Sequence, residues 1–274
     1  MPEALPLLAP SPGELPAGVH ALQTTRSGGV SGGPWASLNL ALHTGDDPDH
    51  VAANRYRLEQ DLGLPSPIAW PRQVHGTAVI SAAALHAAQE AGGAAEADAV
   101  VSDRPGMVCA VQTADCLPVV LATADGSAVG VAHAGWRGLA DGVLEVTVQA
   151  LETLRPGMPI QAWMGAAIGP AAFEVGPEVR EAFVAHDPEA VDAFRPGAEG
   201  RLLADLYRLA RQRLQRAGVA QVAGGGRCTF TEAETFYSYR RDGATGRMGT
   251  LVWFELGRAS GSPTEIATSL RSSR

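Results

Sequence analysis

A chain of 274 residues, 46% of them hydrophobic and 18% charged, is long enough to bury a sizeable core, and no long Pro/Gly/Ser-rich or charged linker divides it. Its formal net charge of −8 argues against broad nucleic-acid or anionic-membrane binding, since both need a basic face, while leaving room for a local cationic pocket. No run approaches the ~18 uninterrupted apolar residues of a membrane span, and the opening MPEALPLLAP holds an acid and no Lys or Arg, so the expectation is no signal peptide and a cytoplasmic protein.

In chain order, residues 1–21 are proline-rich through Pro16 and predict an extended lead-in. Residues 24–33, TTRSGGVSGG, form a glycine-rich loop with Arg26 at its entrance. It reads either as an anion-binding nest or as a plain turn, and not as a P-loop, because no Gly-Lys-Ser/Thr follows. In WASLNL, 35–40, a strand would point Asn39 away from Leu38 and Leu40. Asp46-Asp47-Pro48 opens a helix carrying Val51, Leu58 and Leu62 and ending at Gly63. Residues 70–74 then lead to His75, and 98–101 and 107–112 predict two short strands.

The richest stretch is 113–138, TADCLPVVLATADGSAVGVAHAGWRG. Two apolar runs, 118–121 and 129–132, flank Asp125-Gly126, a hairpin signal. Cys116 enters the first strand and His133 leaves the second, so antiparallel pairing brings them together. Small residues around both let groups approach closely. The plainer readings are a buried packing cysteine and a hydrogen-bonded histidine at a strand end. Convergence at one sheet edge, with His75 upstream, favours a site.

Downstream, Leu139, Val143, Val146, Ala150 and Leu154 recur at helical spacing, and 162–169 predicts an apolar strand. Helices are expected over 177–186 and 202–217, the latter stopping at Gly218 with its arginines on a solvated face. Strands over 219–223, 236–240 and 250–256 close the chain, with Asp242-Gly243 turning between the last two. Arg240, Arg241 and Arg247 crowd that turn as candidate anion ligands. Residues 257–274 lack apolar periodicity and are expected to be frayed. The three cysteines, Cys109, Cys116 and Cys228, show no disulfide-framework spacing.

Five segments, Arg72-Gln73-Val74-His75-Gly76, Thr113-Ala114-Asp115-Cys116-Leu117-Pro118, His133-Ala134-Gly135-Trp136-Arg137-Gly138, Ile168-Gly169-Pro170 and Tyr237-Ser238-Tyr239-Arg240-Arg241-Asp242-Gly243, resemble the signatures of the YfiH family. That family is also described as the laccase-domain or polyphenol oxidase family and as the peptidoglycan editing factor (PgeF) family. The resemblance covers residues 22–256, a single catalytic domain. It implies an α+β fold, a four-layer α/β/β/α sandwich with mixed β-sheets, and one metal site falling on His75, Cys116 and His133. The activities it implies are purine nucleoside phosphorolysis with adenosine deamination, phenol oxidation, or editing of cell-wall precursors.

Chemistry ranks these. A multicopper oxidase needs a trinuclear cluster built from His-x-His pairs, and the seven histidines contain none. A single blue-copper site transfers electrons but does not by itself reduce oxygen by four. Zinc with three protein ligands and an open position suits hydrolysis or group transfer better, with copper as the alternative metal. A second class is a Cys-His thiol enzyme acting on peptidoglycan precursors, with Cys116 as nucleophile. A third is a non-enzymatic, metal-dependent partner in a cell-wall pathway.

The resulting expectation is a zinc-dependent purine nucleoside phosphorylase acting on adenosine, inosine and guanosine, with methylthioadenosine as a further candidate, and deaminating adenosine at the same site. The catalytic and metal residues are His75, Cys116 and His133. Arg26, Asn39, Asp115 and Arg240 are the substrate- and phosphate-binding candidates, with Asp115 also a candidate for orienting a metal ligand. Partners are small molecules (purine nucleosides and phosphate), with no nucleic acid and no membrane, and the chain is expected to be a monomer or homodimer.

Overall fold

Residues 4–255 are described by a computed structural model; the segment expected to be frayed, 257–274, lies outside the described residues. Strands β1 (Leu7–Leu8) and β2 (Val19–Thr24) precede helix α1 (Pro48–Leu62). That helix starts where the Asp47 side chain accepts from the Asp49 N–H and stops at Gly63, whose φ of 56° suits glycine. There follow β3 (Val79–Ser81), α2 (Ala82–Glu90), β4 (Ala99–Ser102), β5 (Cys109–Thr113), β6 (Leu117–Thr123) and β7 (Val129–Ala134). Helices α3 (Trp136–Asp141) and α4 (Val143–Leu154) lead to β8 (Ile160–Met164), β9 (Glu174–Val175) and α5 (Pro177–Val184). The chain closes with β10 (Phe194–Pro196), β11 (Leu202–Ala204), α6 (Leu206–Arg216), β12 (Gln221–Gly224), α7 (Tyr239–Asp242) and β13 (Met248–Phe254).

The period-2 pattern of the strands builds the layers. On β6, Leu117, Val119 and Leu121 point to one face, where Leu144, Val148 and Leu151 of α4 and Leu209, Ala210 and Leu214 of α6 cover them. Val120 and Ala122 point to the other face and meet Val111 of β5 and Val252 of β13. The next residues of β13, Leu251 and Trp253, turn outward onto Leu58 of α1 and onto Leu38 and Leu40. The result is α1, then the sheet β1-β2-β13-β5, then the sheet β12-β8-β6-β7-β4-β3, then α4 and α6: a four-layer α/β/β/α sandwich. The larger sheet is mixed, with β3–β4 and β8–β12 parallel and the remaining pairs antiparallel. Each fully buried Leu or Val contributes ~1.5–3 kcal/mol relative to exposure. A small sheet, β10-β11-β9, is added at the side. No described helix is long and apolar enough to cross a membrane.

Several local expectations differ from the structure. The helix expected over 202–217 begins only at Leu206, because Asp205 caps it by accepting from the Arg208 N–H, and Leu202–Ala204 pair with β9 and β10. The strand expected over 236–240 does not form: Phe236 and Tyr237 are buried plugs, and Ser238 caps the short α7. The helix expected from Leu139 to Leu154 is broken at Gly142, where φ is 100°. Residues 35–40 are not a strand; the chain makes a 3-10 turn at Gly33–Trp35, and the short β3 runs into α2 where no element was expected.

The Asp125-Gly126 hairpin is present. Gly126 takes φ 70° and donates its N–H to Thr123 O at 2.7 Å. The register pairs Leu117 with Ala134 and Pro118 with His133, which sets Cys116 and His133 at the same end of the ladder.

Candidate metal centre

Asp98 organises the centre. It is fully buried just before β4, and its carboxylate accepts from the N–H groups of Val74 (3.2 Å), His75 (3.0 Å) and Gly76 (2.7 Å). Its Oδ1 also lies 2.8 Å from His133 Nδ1, and its backbone O accepts the His133 N–H at 2.7 Å. One side chain therefore fixes both histidines. His75 sits at φ 60°, a left-handed conformation costing about 1–2 kcal/mol for a residue with a Cβ. Charge-assisted bonds to Asp98, about 1.5–3 kcal/mol each, offset that cost. Burial opposes the Asp98 charge, yet His133 and the Gly76 and Val74 N–H groups hold its carboxyl below the usual range.

The Asp98 bond occupies Nδ1 of His133 and leaves Nε2 for a metal or for Cys116. The ligand atoms of His75, Cys116 and His133 lie within 4.8 Å of one another, and the two imidazoles meet edge-on with centroids 4.8 Å apart. Burial alone would push the Cys116 thiol up, but His133 and His75 pull it down to about 6. Burial would likewise lower His133, but the Cys116 thiolate and Asp98 raise it to about 9. A thiolate thus faces imidazole nitrogens before any ion arrives. Tetrahedral zinc, with bonds of ~2.0–2.3 Å, sets its ligand atoms about 3.3–3.8 Å apart, so the trio fits with small side-chain adjustments. The N₂S donor set also accommodates copper. Among the described residues this is the one cluster of three or more His, Cys, Asp or Glu side chains that could hold a metal.

Gly135 closes the cluster. A Cβ there would stand 2.7 Å from His75 Nδ1 and 3.1 Å from Cys116 Sγ. Its φ of −62° is open to any residue, so only the side chain is excluded. Gly135→Ala is therefore expected to leave the fold intact and to weaken metal binding about 10–100-fold, the size of a displaced supporting group. Competition against a zinc chelator checks this, and an unaltered affinity would contradict the packing argument.

The other predicted site residues are held in several different ways. Arg26 donates to Ala36 O (3.1 Å) and Ala233 O (2.8 Å) and stacks on Tyr237, tying the glycine-rich loop to the 233–237 turn. Asn39 is fully buried: its amide donates to Ala41 O, Thr44 Oγ1 and Asp46 Oδ2, and its Oδ1 accepts from the N–H groups of Ala41 and Arg247. Asp115, at φ 91°, accepts from Thr229 Oγ1 and the Arg240 N–H, both at 2.6 Å. It anchors the 229–240 segment beside the trio, while Asp98 holds His133. Arg240 donates to Glu174 O and lies over Phe173. Arg241 is spent on the carbonyls of Thr229, Phe230 and Phe236 and on Asp242. Asp98 does not stand out in the sequence, where it reads as the first residue of the apolar strand 98–101. Its signal is the isolated acid immediately ahead of Ala-Val-Val.

Residues 20–255 match a family model described as multi-copper polyphenol oxidoreductase laccase. The chain is 53% identical over 238 residues to purine nucleoside phosphorylase YfiH of Escherichia coli (strain K12), covering 87% of this chain and 95% of that protein. Among solved structures it resembles a Neisseria meningitidis protein of family DUF152, with TM-score 0.84 and 47% identity over 93% of this chain and 100% of that one. It also resembles YlmD from Geobacillus stearothermophilus, with TM-score 0.84 and 34% identity over 93% and 98% of the two chains.

Proposed function

The chain belongs to the multi-copper polyphenol oxidoreductase laccase family, and from that premise we propose that it is a zinc-dependent purine nucleoside phosphorylase that also deaminates adenosine. Support for the activity comes from the name carried by the Escherichia coli relative at 53% identity. Support for the chemistry comes from the trio, in which His133 is buried and His75 exposed, so a substrate can reach the cluster from one side. His75, Cys116 and His133 would hold the ion, and zinc bound there supplies Lewis-acid polarisation of a water or substrate oxygen. Asp98 keeps His133 in one tautomer and one orientation. Asp115 ties the 229–240 segment, through Thr229 and the Arg240 N–H, to the turn that carries Cys116. The substrates are purine nucleosides and phosphate, and the site of action is the cytoplasm.

A trinuclear copper cluster needs closely spaced histidine pairs, and among the described residues one three-ligand cluster exists. A thiol-hydrolase reading has one specific observation behind it: the Cys116 thiol is held low by His133, which is itself held by Asp98, the order of groups that activates a cysteine nucleophile. Mass spectrometry of the protein after incubation with peptide-bearing cell-wall precursors would show an acyl adduct on Cys116 under that reading and none under ours.

The phosphorylase reading is tested by chromatography of adenosine and inosine incubated with zinc-loaded protein, with and without phosphate. Phosphate-dependent release of adenine and hypoxanthine is the expected result. Unchanged nucleosides alongside oxygen-consuming oxidation of phenols would overturn it in favour of copper.

A further inference from the structure

Most arginines around the fold are paired or spent. Arg213 reaches Glu145, Arg155 reaches Asp103, and Arg227 reaches Glu232. Arg104, Arg137 and Arg180 have no ion pair among the described residues but are exposed to solvent, whereas Arg55 and Arg247 have none and are half-buried. Arg55 donates its Nε to Leu40 O at 2.9 Å and stacks on Trp70, and its two terminal nitrogens meet no acceptor among the described residues. Arg247 donates Nη1 to Thr245 O (2.9 Å) and Gly246 O (3.0 Å) and lies over the exposed ring of Tyr239, leaving Nε and Nη2 without an acceptor there.

The two arginines attach to the same residue. Leu40 links them directly, because its O accepts from Arg55 and its N–H donates to Arg247 O at 3.3 Å. His43, in the turn Leu42–Thr44 that follows Leu40, has its imidazole lowered first by burial and then by the charges of Arg247 and Arg55. Met248, the neighbour of Arg247, pairs with Thr113, and the chain runs on from Thr113 to Cys116, so Arg247 stands at the trio's end of the β5–β13 ladder, where it also senses the charges of Cys116 and Asp115. Leu40 O also accepts from Gln112 Nε2, and the Gln112 O and N–H bond the side chain of Gln73, two residues before His75. Burial pulls Arg55 down to about 10 and lowers Arg247. The one carboxylate acting on Arg55, Glu59, already accepts from the Ile68 N–H. Partly desolvated guanidinium groups with free donors and no carboxylate in direct contact are stabilised when an anion joins them.

We propose that Arg55 and Arg247, with His43 at the rim, form the oxyanion subsite that holds the phosphate co-substrate beside the metal trio. This rests on the phosphorylase reading for the identity of the anion. In the reaction a phosphate oxygen forms a bond to ribose C1′ as the glycosidic C1′–N bond breaks. The electron pair of that bond leaves with the purine, which takes up one proton from solvent. Planar guanidinium forks fit tetrahedral oxyanions, and two of them supply a local cationic pocket in a chain of net charge −8.

Titration calorimetry of inorganic phosphate into zinc-loaded protein tests the subsite. Arg247→Gln and Arg55→Gln are each expected to raise the phosphate Kd about ten- to hundred-fold, with zinc content at the wild-type level. The Lys variants should fall between, keeping charge without the fork, and they serve where a Gln variant does not fold. Arg208→Gln, on an exposed arginine paired with Asp192, is the control. No phosphate binding by the wild type, or an unaltered Kd in both Gln variants, overturns the subsite. So does a phosphate signal abolished by chelating zinc but untouched by the arginine changes. The two readings separate cleanly: phosphate bound through these arginines without base release from any nucleoside sinks the phosphorylase reading and keeps the subsite. Phosphorolysis with an unchanged phosphate KM in both variants does the reverse.

Discussion

Replacing Cys116 by alanine is expected to empty the metal site and to lower phosphorolysis by at least about 10²–10³-fold, the loss that follows removal of one strong electrostatic stabiliser. Two ligands would remain, on different supports: His133 at the rigid end of β7 and His75 on a loop exposed to solvent. Cys116 joins them, and it brings the anionic ligand of the three. In metal-free wild-type protein its thiol is held down to about 6, so thiolate absorbance should persist at neutral pH and vanish as the pH falls through that value. Cys109, fully buried among apolar neighbours, has its thiol pushed well up; burial opposes the Cys228 thiolate but hydrogen bonds from Thr231 and Gly169 lower its thiol, so the titration is read as the difference between wild type and Cys116→Ala. Elemental analysis reads the first part and ultraviolet titration the second. Full metal content in Cys116→Ala would remove the basis of the site.

Asp98→Ala should be the most destabilising change at the site, by about 3–5 kcal/mol, the range for breaking a buried ion pair from one side. It strands three backbone N–H groups and the His133 Nδ1–H together, and leaves the left-handed His75 without the bonds that hold it. Against a total stability of about 5–15 kcal/mol that is a large share. Asp98→Asn retains the shape and one good acceptor, so it should lose less stability while still weakening metal binding about 10–100-fold. Denaturant unfolding with and without chelator separates the two effects, because the hydrogen-bond loss persists in metal-free protein. A loss below about 1 kcal/mol in Asp98→Ala would mean that the Val74–Gly76 loop finds other acceptors.

What local chemistry dictates was legible without coordinates. Asp125-Gly126 needed only a tight turn between two apolar runs, and its register alone carries Cys116 and His133 to one edge. Asp47-Pro48 and Gly63 punctuate α1 by the same short-range rules. The four layers and the assignment of His75 to the cluster came from resemblance to a family rather than from spacing. The structure supplies the physical basis of the layers in the alternation of β6 and β13 across two sheet faces, and that of His75 in the bond from its N–H to Asp98.

Other features depend on partners far away in sequence, and no window of residues contains them. Phe236 and Tyr237 look like strand residues but are drawn into a core pocket with Ala114 and Met248, so burial overrides their propensity. Leu202–Ala204 look helical until β9 and β10 offer edges to pair with. Asp98 reads as a strand terminus until the Val74–Gly76 loop, more than twenty positions earlier, folds its N–H groups onto it. Arg26, Arg55, Arg240, Arg241 and Arg247 are equivalent cations in the sequence. Only the tertiary structure decides which of their nitrogens carry acceptors and which, as on Arg55 and Arg247, keep free donors, because hydrogen-bond satisfaction is a property of the packed surroundings and not of the residue.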